Sequence, residues 1–414
     1  MTTPAFECRS CGHREARTIL DLGFLPLPNR LVSEREANHP DPRYPLELVY
    51  CPHCSLVQIR ETVDPELLFT EYLYFSSFSE TMLDHARRLC RLCIGRLSLS
   101  PESRVVEVAS NDGYLLQYFL REGIPVLGIE PARNIARVAV ERGIPTRAVF
   151  FGSATARELA AEGEAADLIL GLNVLAHVPD LHGFIDGIRC LLKPGGAAVF
   201  EFPYVRSMIE GNEFDTIYHE HLCYFSLSVV AGLFRRHGLA VFDAEKIPIH
   251  GGSLRIFVCH AGTRPEEESV RRIEDEERQD GLLSYEYYQK FAVSVEGLRQ
   301  EMRRRISGMK KCNERIVAYG AAAKGSILLN YFDIGPDDIP YIADINPHKQ
   351  GKFLPGNHIP VVSPEKIRET RPEYVLIIPW NLKNEIMEQL SFISEWNGKF
   401  MLAIPRIEVI ASGS

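Results

Sequence analysis

The stretch Arg104-Val105-Val106-Glu107-Val108-Ala109-Ser110-Asn111-Asp112-Gly113 decides the fold. Its first five residues form a short apolar run that is typical of a buried strand, and the small and polar residues after them predict a tight turn. Leu115, Leu116 and Phe119 follow at helical spacing. A strand, a tight loop and a helix in this order begin a nucleotide-binding βαβ unit.

The alternation of strand and helix continues on both sides of a charged connection. Strands are predicted at 125–130, 166–170 and 197–201 and, after a helical segment over 264–311, again at 316–320, 341–344 and 374–378. Helix-length segments between such strands favour parallel sheets. The sequence therefore predicts an α/β chain with two Rossmann-like domains, divided as 1–68 (N-terminal module), 69–262 and 263–414.

Composition limits the partners and the compartment. The 414 residues carry a formal net charge of -9, which opposes a general nucleic-acid partner. No uncharged apolar run of about 18 residues predicts a membrane span, and the first residues lack the pattern of a secretory signal. We expect a cytoplasmic protein without a nucleic-acid or membrane partner.

Two Cys-x-x-Cys pairs flank a proline-rich stretch near the N-terminus: Cys8 with Cys11, and Cys51 with Cys54. In a reducing compartment such pairs indicate metal binding, and four thiolates suit tetrahedral zinc. A set of four cysteine ligands leaves no open coordination position, so the metal is predicted to be structural. Four unliganded thiols or a redox dithiol are the alternatives. The prolines oppose helix and favour an irregular module.

The loop after the first central strand is the predicted cofactor site. It lacks the three glycines of a dinucleotide fingerprint, so it favours a ligand with an amino-acid end over one with a diphosphate. Gly113 permits close approach of a ligand to the backbone. Glu130 ends the next strand, where a carboxylate can accept both hydroxyl protons of a ribose. A carboxylate that only begins a helix is the alternative for Glu130.

Reactive side chains are densest in the segment 214–226, just after the strand over 199–202. A reaction at carbon requires a base and a partner for an enolate oxygen, whereas group transfer to oxygen or nitrogen needs only a lone pair. The base and the partner for the enolate oxygen can be supplied by Tyr218, His219, Glu220 and His221, together with His177. A zinc site at His219, Glu220 and His221 is a competing hypothesis, and His177 is equally compatible with a core or capping role.

With Asn173 to Asp180 and the Lys193-Pro194-Gly195-Gly196 segment, these motifs resemble the class I S-adenosylmethionine-dependent methyltransferases. The resemblance implies that the loop of Gly113 approaches the methionine portion, that Glu130 holds the ribose, and that Phe151 and Gly152 border the adenine. The predicted cofactor residues are Glu107, Ser110, Asn111, Asp112, Gly113, Glu130 and Asn173.

The chain from Cys8 to about Pro405 resembles the sugar C-methyltransferases of deoxysugar biosynthesis, through the motifs above, 72–77, His250 to Ser253 and Gly320 to Gly325. The resemblance implies C3 methylation of a nucleoside-diphosphate 4-keto-6-deoxysugar, usually thymidine-linked. It makes His221 the base, with Tyr218, Glu220, His177 and either Tyr72 or Tyr74 in the pocket, and His219 also at the substrate.

The loop Ala321-Ala322-Ala323-Lys324-Gly325 is predicted to bring backbone N–H groups and one cation, Lys324, to the diphosphate. Tight packing at a helix start is the alternative for this loop. For the whole protein, the alternatives are an O- or N-methyltransferase on a related nucleotide sugar, or a nucleotide-sugar sensor without catalytic activity.

Overall fold

The N-terminal part of the chain is a small antiparallel sheet. The computed structural model describes residues 6–64, 67–68 and 76–412. Strands β1 (Arg17–Pro26), β2 (Arg43–Tyr50) and β3 (Val57–Ile59) pair in sequence order, and β9 (Cys223–Tyr224) adds a fourth strand from the middle of the chain.

The prediction of an irregular N-terminal module is therefore wrong. Pro45 lies inside β2, where it pairs with Phe24 of β1 beyond a register shift. Only Leu48 to Tyr50 of β2 pair with β3, so the other edge of β2 is free of ladder bonds at Pro45. Proline is tolerated at such positions because its missing N–H is not needed there.

The central sheet has seven strands in the order β10-β11-β8-β7-β4-β5-β6. The five strands from β6 to β8 are parallel, as predicted, whereas β11 is antiparallel to both β8 and β10. The strands are β4 (Val105–Val108), β5 (Val126–Ile129), β6 (Thr146–Arg147), β7 (Ala166–Leu172), β8 (Leu192–Pro203), β10 (Leu239–Ile247) and β11 (Ser253–His260).

Helices cover this sheet and begin with a long segment before β4. The Lys193-Pro194-Gly195-Gly196 segment lies inside β8 rather than before it. The helices are α1 (Glu80–Leu97), α2 (Leu116–Arg121), α3 (Arg133–Glu141), α4 (Ser153–Ala161), α5 (Leu181–Leu191), α6 (Val205–Glu210) and α7 (Leu227–Arg236).

Two helices, α8 (Glu268–Gln279) and α9 (Tyr285–Lys311), form the predicted helical connection. The C-terminal sheet follows in the order β14-β13-β12-β15-β16-β17, parallel except for β17. Its elements are β12 (Ile316–Tyr319), α10 (Ala323–Tyr331), β13 (Ile342–Ala343), β14 (Val361–Val362), α11 (Glu365–Thr370), β15 (Tyr374–Ile377), α12 (Lys383–Gln389), β16 (Lys399–Leu402) and β17 (Glu408–Ala411). Among the described helices, none is long and apolar enough to cross a membrane.

Candidate functional site

The four cysteines of the N-terminal module converge on one point. Cys8 Sγ lies 3.5 Å from Cys54 Sγ, Cys11 Sγ lies 3.6 Å from Cys51 Sγ, and all four sulfurs are within 4.8 Å of one another. Sulfurs about 2.3 Å from a central zinc would lie about 3.8 Å apart at the corners of a tetrahedron. The donor set and its spacing therefore fit structural zinc.

Hydrogen bonds to Cys8 stabilise its thiolate form, which is the form that binds a metal cation. The thiol of Cys54 bonds to Cys8 and lowers the pKa of Cys8 to about 4, against the effect of burial. The side-chain amide of Gln58 also donates to Cys8 Sγ at 3.1 Å. Donors to a thiolate orient it and stabilise its charge, as they do around bound metals generally.

The predicted cofactor loop lies at the carboxyl end of β4 in an unusual conformation. Ala109 and Asn111 both have positive φ angles, 57° and 49°, which residues with a side chain adopt only where the surroundings impose them. At Gly113, with φ of 78°, a Cβ would lie 2.7 Å from the side chain of Ile144. A glycine is therefore required at that position for the loop to turn into α2.

Glu130 binds this loop from the end of β5. Its carboxylate accepts hydrogen bonds from the backbone N–H of Asn111 at 3.0 Å and of Ala132 at 2.9 Å. Burial raises the pKa of Glu130 above its ordinary value, although both N–H donors oppose the shift. A carboxylate has about four lone-pair positions, so the two that these donors leave can accept ribose hydroxyls.

Several buried polar atoms around the loop have no hydrogen-bond partner among the described residues. They are Glu107 Oε1 and Oε2, Ser110 Oγ, Asp112 Oδ1 and Asn173 Oδ1. Burial raises the pKa of Glu107 well above its usual range, and the charges of Glu130 and Asp112 raise it further. Acceptors grouped around a carboxylate-rich pocket fit the sulfonium and ammonium charges of S-adenosylmethionine and oppose a diphosphate.

The other residues predicted to bind the cofactor or the substrate lie in different surroundings. Asn111 accepts a hydrogen bond at Oδ1 from the backbone N–H of Ser76 at 3.0 Å, and Asp112 pairs with Arg142 at 2.9 Å. The loop of Phe151 and Gly152 follows β6, at the edge of the parallel part of the sheet, and its border with the adenine stays a prediction. Tyr72 and Tyr74 lie outside the described residues.

Glu130→Ala is expected to weaken S-adenosylmethionine binding by about 10- to 100-fold, because one charge-assisted hydrogen bond is worth about 1.5 to 3 kcal/mol. Isothermal titration calorimetry measures the change, with the exposed Glu141→Ala on α3 as the matched control. An unaltered dissociation constant in a folded Glu130→Ala protein would transfer the ribose role to another residue.

The segment after α6 positions His221. A 3₁₀ turn over Phe214–Thr216 presents the Thr216 carbonyl, which accepts a hydrogen bond from His221 Nδ1 at 2.8 Å. The proton of the imidazole is therefore on Nδ1 and the lone pair is on Nε2. The hydroxyl of Tyr218 donates to Nε2 at 2.8 Å. His221 is held as a neutral base with its lone pair on a defined side.

Burial keeps the two histidines of this region uncharged. It lowers the pKa of His221 well below the ordinary value, and the neighbouring His177, whose ring centroid is 4.8 Å away, lowers it further. Burial likewise lowers the pKa of His177 to about 4, although a hydrogen bond with the backbone of Glu220 opposes the shift. Both imidazoles are neutral at neutral pH.

The structure separates His219 and Glu220 from His221. His219 Nε2 donates to the backbone oxygen of Tyr44 at 3.3 Å, and both carboxylate oxygens of Glu220 accept from the side-chain amide of Asn29, at 2.7 and 2.8 Å. The three adjacent residues do not form a cluster of metal ligands in the described part of the chain. The competing hypothesis of zinc at these residues is therefore not supported.

At the loop predicted to hold the diphosphate, the structure shows contacts within the protein, and the diphosphate role of Lys324 stays a prediction. The backbone N–H of Ala321 donates to the carboxylate of Asp344 at 2.8 Å, so an acid occupies the loop. Lys324 instead extends its buried ammonium over the ring of Trp380, 4.0 Å from the centroid. Trp380 in turn donates from its indole N–H to Asp215 at 2.9 Å.

Trp380 also lines a cleft of about 630 Å³. Two basic residues, Lys383 and Arg406, and two acidic residues, Glu210 and Glu408, line it. Sequence reasoning missed Trp380 and Asn29, because both lie far along the chain from the side chains that they bind and no local motif marks them.

Three family models match consecutive parts of the chain. They describe a zinc binding domain over residues 8–69, a methyltransferase domain over 82–244 and a C-methyltransferase C-terminal domain over 248–405. The last of these includes β11, which pairs in the central sheet.

Relatives agree with these matches to different extents. The C-methyltransferase NovU of Streptomyces niveus is 36% identical over 412 residues, which are 99% of this chain and 98% of NovU. A ubiquinone biosynthesis O-methyltransferase of Cereibacter sphaeroides is 36% identical over only 99 residues, 23% of this chain and 39% of that protein. The solved magnesium protoporphyrin IX methyltransferase of Synechocystis, with bound S-adenosylmethionine, is 13% identical over 44% of this chain and 79% of its own, with a TM-score of 0.33.

Proposed function

The chain belongs to the C-methyltransferase family that combines a zinc-binding, a methyltransferase and a C-terminal domain, and it is an S-adenosylmethionine-dependent methyltransferase. From this premise we propose that it methylates C3 of a nucleoside-diphosphate 4-keto-6-deoxysugar, with thymidine diphosphate as the nucleotide. The divisions at residues 68/69 and 262/263 are part of the same proposal.

The arrangement of His221 carries this proposal. A methyltransferase acting on oxygen or nitrogen needs only a poised lone pair, whereas carbon must first lose a proton. His221 supplies a neutral imidazole whose Nδ1 proton is fixed on the Thr216 carbonyl and whose Nε2 lone pair is free for an incoming proton once Tyr218 turns its hydroxyl away. Its low pKa keeps that lone pair available at neutral pH.

The proposed reaction places the negative charge on a ketone oxygen. The C3–H bond breaks, its proton moves to Nε2 of His221, and its electron pair forms the C3=C4 double bond while the carbonyl pair moves onto the C4 oxygen. S-adenosylmethionine supplies the methyl group, which C3 takes as the ketone re-forms and the carbon–sulfur bond breaks. A general base contributes about 10²- to 10⁴-fold to such a step.

The other side chains of the pocket orient these groups. His177 packs its ring edge against His221, and Tyr218 offers a hydroxyl to the base or to the sugar. Glu220 and His219 act through their bonds to Asn29 and Tyr44, which fix the backbone immediately before the base. Tyr72 or Tyr74 completes the pocket in this proposal.

The nucleotide would lie in the cleft beside Trp380. Lys383 and Arg406 offer N–H donors to a diphosphate in a cleft that Glu210 and Glu408 also line, and Trp380 offers an aromatic surface. The same Trp380 contacts Lys324 and Asp215, so the cleft adjoins the turn that holds His221.

Methyl-labelled S-adenosylmethionine tests the substrate class. The protein is expected to transfer label to a nucleoside-diphosphate 4-keto-6-deoxysugar and not to the matched 4-hydroxy sugar, whose C3 proton is not acidic but whose hydroxyls remain available. Equal transfer to the 4-hydroxy sugar would point to O-methylation and contradict the proposal.

A further inference from the structure

Lys324 brings an ammonium group from the C-terminal domain to the turn that holds His221. It lies in the first turn of α10, which packs against the 3₁₀ turn 214–216. Asp215 of that turn accepts a hydrogen bond from Trp380, and the next residue, Thr216, accepts the one from His221. Lys324 and His221 therefore approach the same turn from two domains.

The ammonium of Lys324 is buried without a hydrogen-bond partner among the described residues. Its contact with the face of Trp380 supplies some attraction, but an ammonium has three donors and a ring face replaces none of them. Burying N–H donors without hydrogen-bond partners destabilises the folded protein. A lysine kept only for packing would be expected to reach a carboxylate or a carbonyl oxygen.

The two carboxyl groups beside Lys324 are buried, and burial opposes their ionisation. Burial raises the pKa of Glu213 to about 8 and that of Asp215 to about 6, while the charge of Lys324 opposes both shifts. Glu213 is therefore mostly protonated at neutral pH, and Asp215 Oδ1 has no partner within the described part of the chain. Asp215 can therefore balance the charge of Lys324, but no hydrogen bond from a described residue satisfies the N–H donors of the ammonium, which remain available to a ligand.

The positive charge of Lys324 acts on two histidines, His221 and His250. Besides burial and His177, the charge of Lys324 lowers the pKa of His221, and it also lowers the pKa of His250. At Gly251, next to His250, a Cβ would lie 2.4 Å from both Glu213 and Trp380. The backbone at 251 thus packs directly against the group of residues around Lys324.

We infer that Lys324 is a catalytic residue that donates a hydrogen bond to the C4 oxygen and stabilises the negative charge it gains when His221 removes the C3 proton. The inference rests on the proposed function. The step consumes no further reactant: the C3 proton moves to His221 Nε2 and then to solvent, and the electron pair on the C4 oxygen re-forms the carbonyl as C3 takes the methyl group. Donors aimed at a developing oxyanion are among the largest single contributions to catalysis.

Exchange of the C3 proton with solvent deuterium isolates this step from methyl transfer. With S-adenosylhomocysteine and saturating keto-sugar nucleotide, Lys324→Met is expected to slow exchange by about 10²- to 10³-fold. Its affinity for the nucleoside diphosphate alone should stay unchanged. The control is Lys366→Met on α11, where the lysine pairs with Glu369 at the surface. Normal exchange with weakened diphosphate binding would overturn the inference and restore the phosphate role.

A measurement on the unaltered protein covers the case in which Lys324→Met does not fold. Burial lowers the pKa of Lys324, so exchange should fall as pH rises through a value below 10.5. The carboxyl groups that face this lysine, Asp215 and Glu213, ionise at lower pH, and His221 and His250 are neutral throughout that range. Exchange that stays level to pH 10.5 would contradict the role of Lys324, whereas absence of exchange at every pH would contradict the proposed function itself.

Discussion

His221→Ala is expected to reduce turnover by about 10²- to 10⁴-fold, the usual loss when a general base is removed. Solvent exchange at C3 should fall in parallel, because the same imidazole takes the proton. Both ligands should still bind, since the hydrogen bonds of His221 to described residues go to the Thr216 carbonyl and to Tyr218. Steady-state kinetics and deuterium incorporation measure the two rates.

Two variants sharpen the interpretation of His221→Ala. Tyr218→Phe should be milder, because a second donor remains for the enolate oxygen. His39→Ala removes an exposed histidine and should leave turnover unchanged. Near-normal exchange and turnover in His221→Ala would exclude it as the base and leave His219 or a tyrosine.

Cys51→Ala is expected to abolish tight zinc binding and to unfold the N-terminal sheet. Structural zinc contributes roughly 10 to 16 kcal/mol in small zinc domains, which is comparable to the total stability of an ordinary domain. Elemental analysis should find one zinc per chain in the unaltered protein, and less than half an equivalent in the variant. Thermal unfolding followed by circular dichroism should show an early transition in Cys51→Ala alone.

The matched control for Cys51→Ala is Cys190→Ala, because Cys190 is exposed and lies on α5, outside the cysteine cluster. Affinity for S-adenosylmethionine should change less than stability does, since the cofactor loop belongs to the central sheet. Turnover should suffer, because Asn29 and Tyr44 hold the backbone beside His221. A full equivalent of zinc in Cys51→Ala would refute the assignment.

Local sequence was sufficient for the features that depend on neighbouring residues. The run from Val105 to Gly113 predicts its own strand and turn, and the structure adds the positive φ angles that shape the loop. The two Cys-x-x-Cys pairs likewise predicted the convergence of their sulfurs. In both cases the physical cause lies within a few residues of the motif.

The N-terminal sheet could not be predicted in the same way. Its fourth strand, β9, has two residues and pairs with β3, which lies far away in sequence. Strand pairing at such separation leaves no local pattern, and the prolines suggested irregular structure. Pro45 is compatible with a strand because β3 does not pair with β2 at that position, so its missing N–H breaks no ladder bond there.

The reactive segment was predicted as one cluster, yet its adjacent side chains point to different partners. His219 and Glu220 contact the N-terminal sheet, whereas His221 faces His177. In backbone that is not helical, neighbouring side chains diverge, so closeness in sequence does not imply a shared site. The partners Asn29 and Trp380 come from other domains, which only the tertiary structure reveals.

The position of the transferred methyl group tests C-methylation most directly. The protein is incubated with methyl-¹³C S-adenosylmethionine and a thymidine-diphosphate 4-keto-6-deoxysugar, and the product is analysed by two-dimensional NMR. Base-generated enolate chemistry predicts a methyl carbon in the aliphatic region that correlates with C3 and the neighbouring C4. A labelled methyl on a sugar oxygen, or on nitrogen in an amino-sugar substrate, would contradict it.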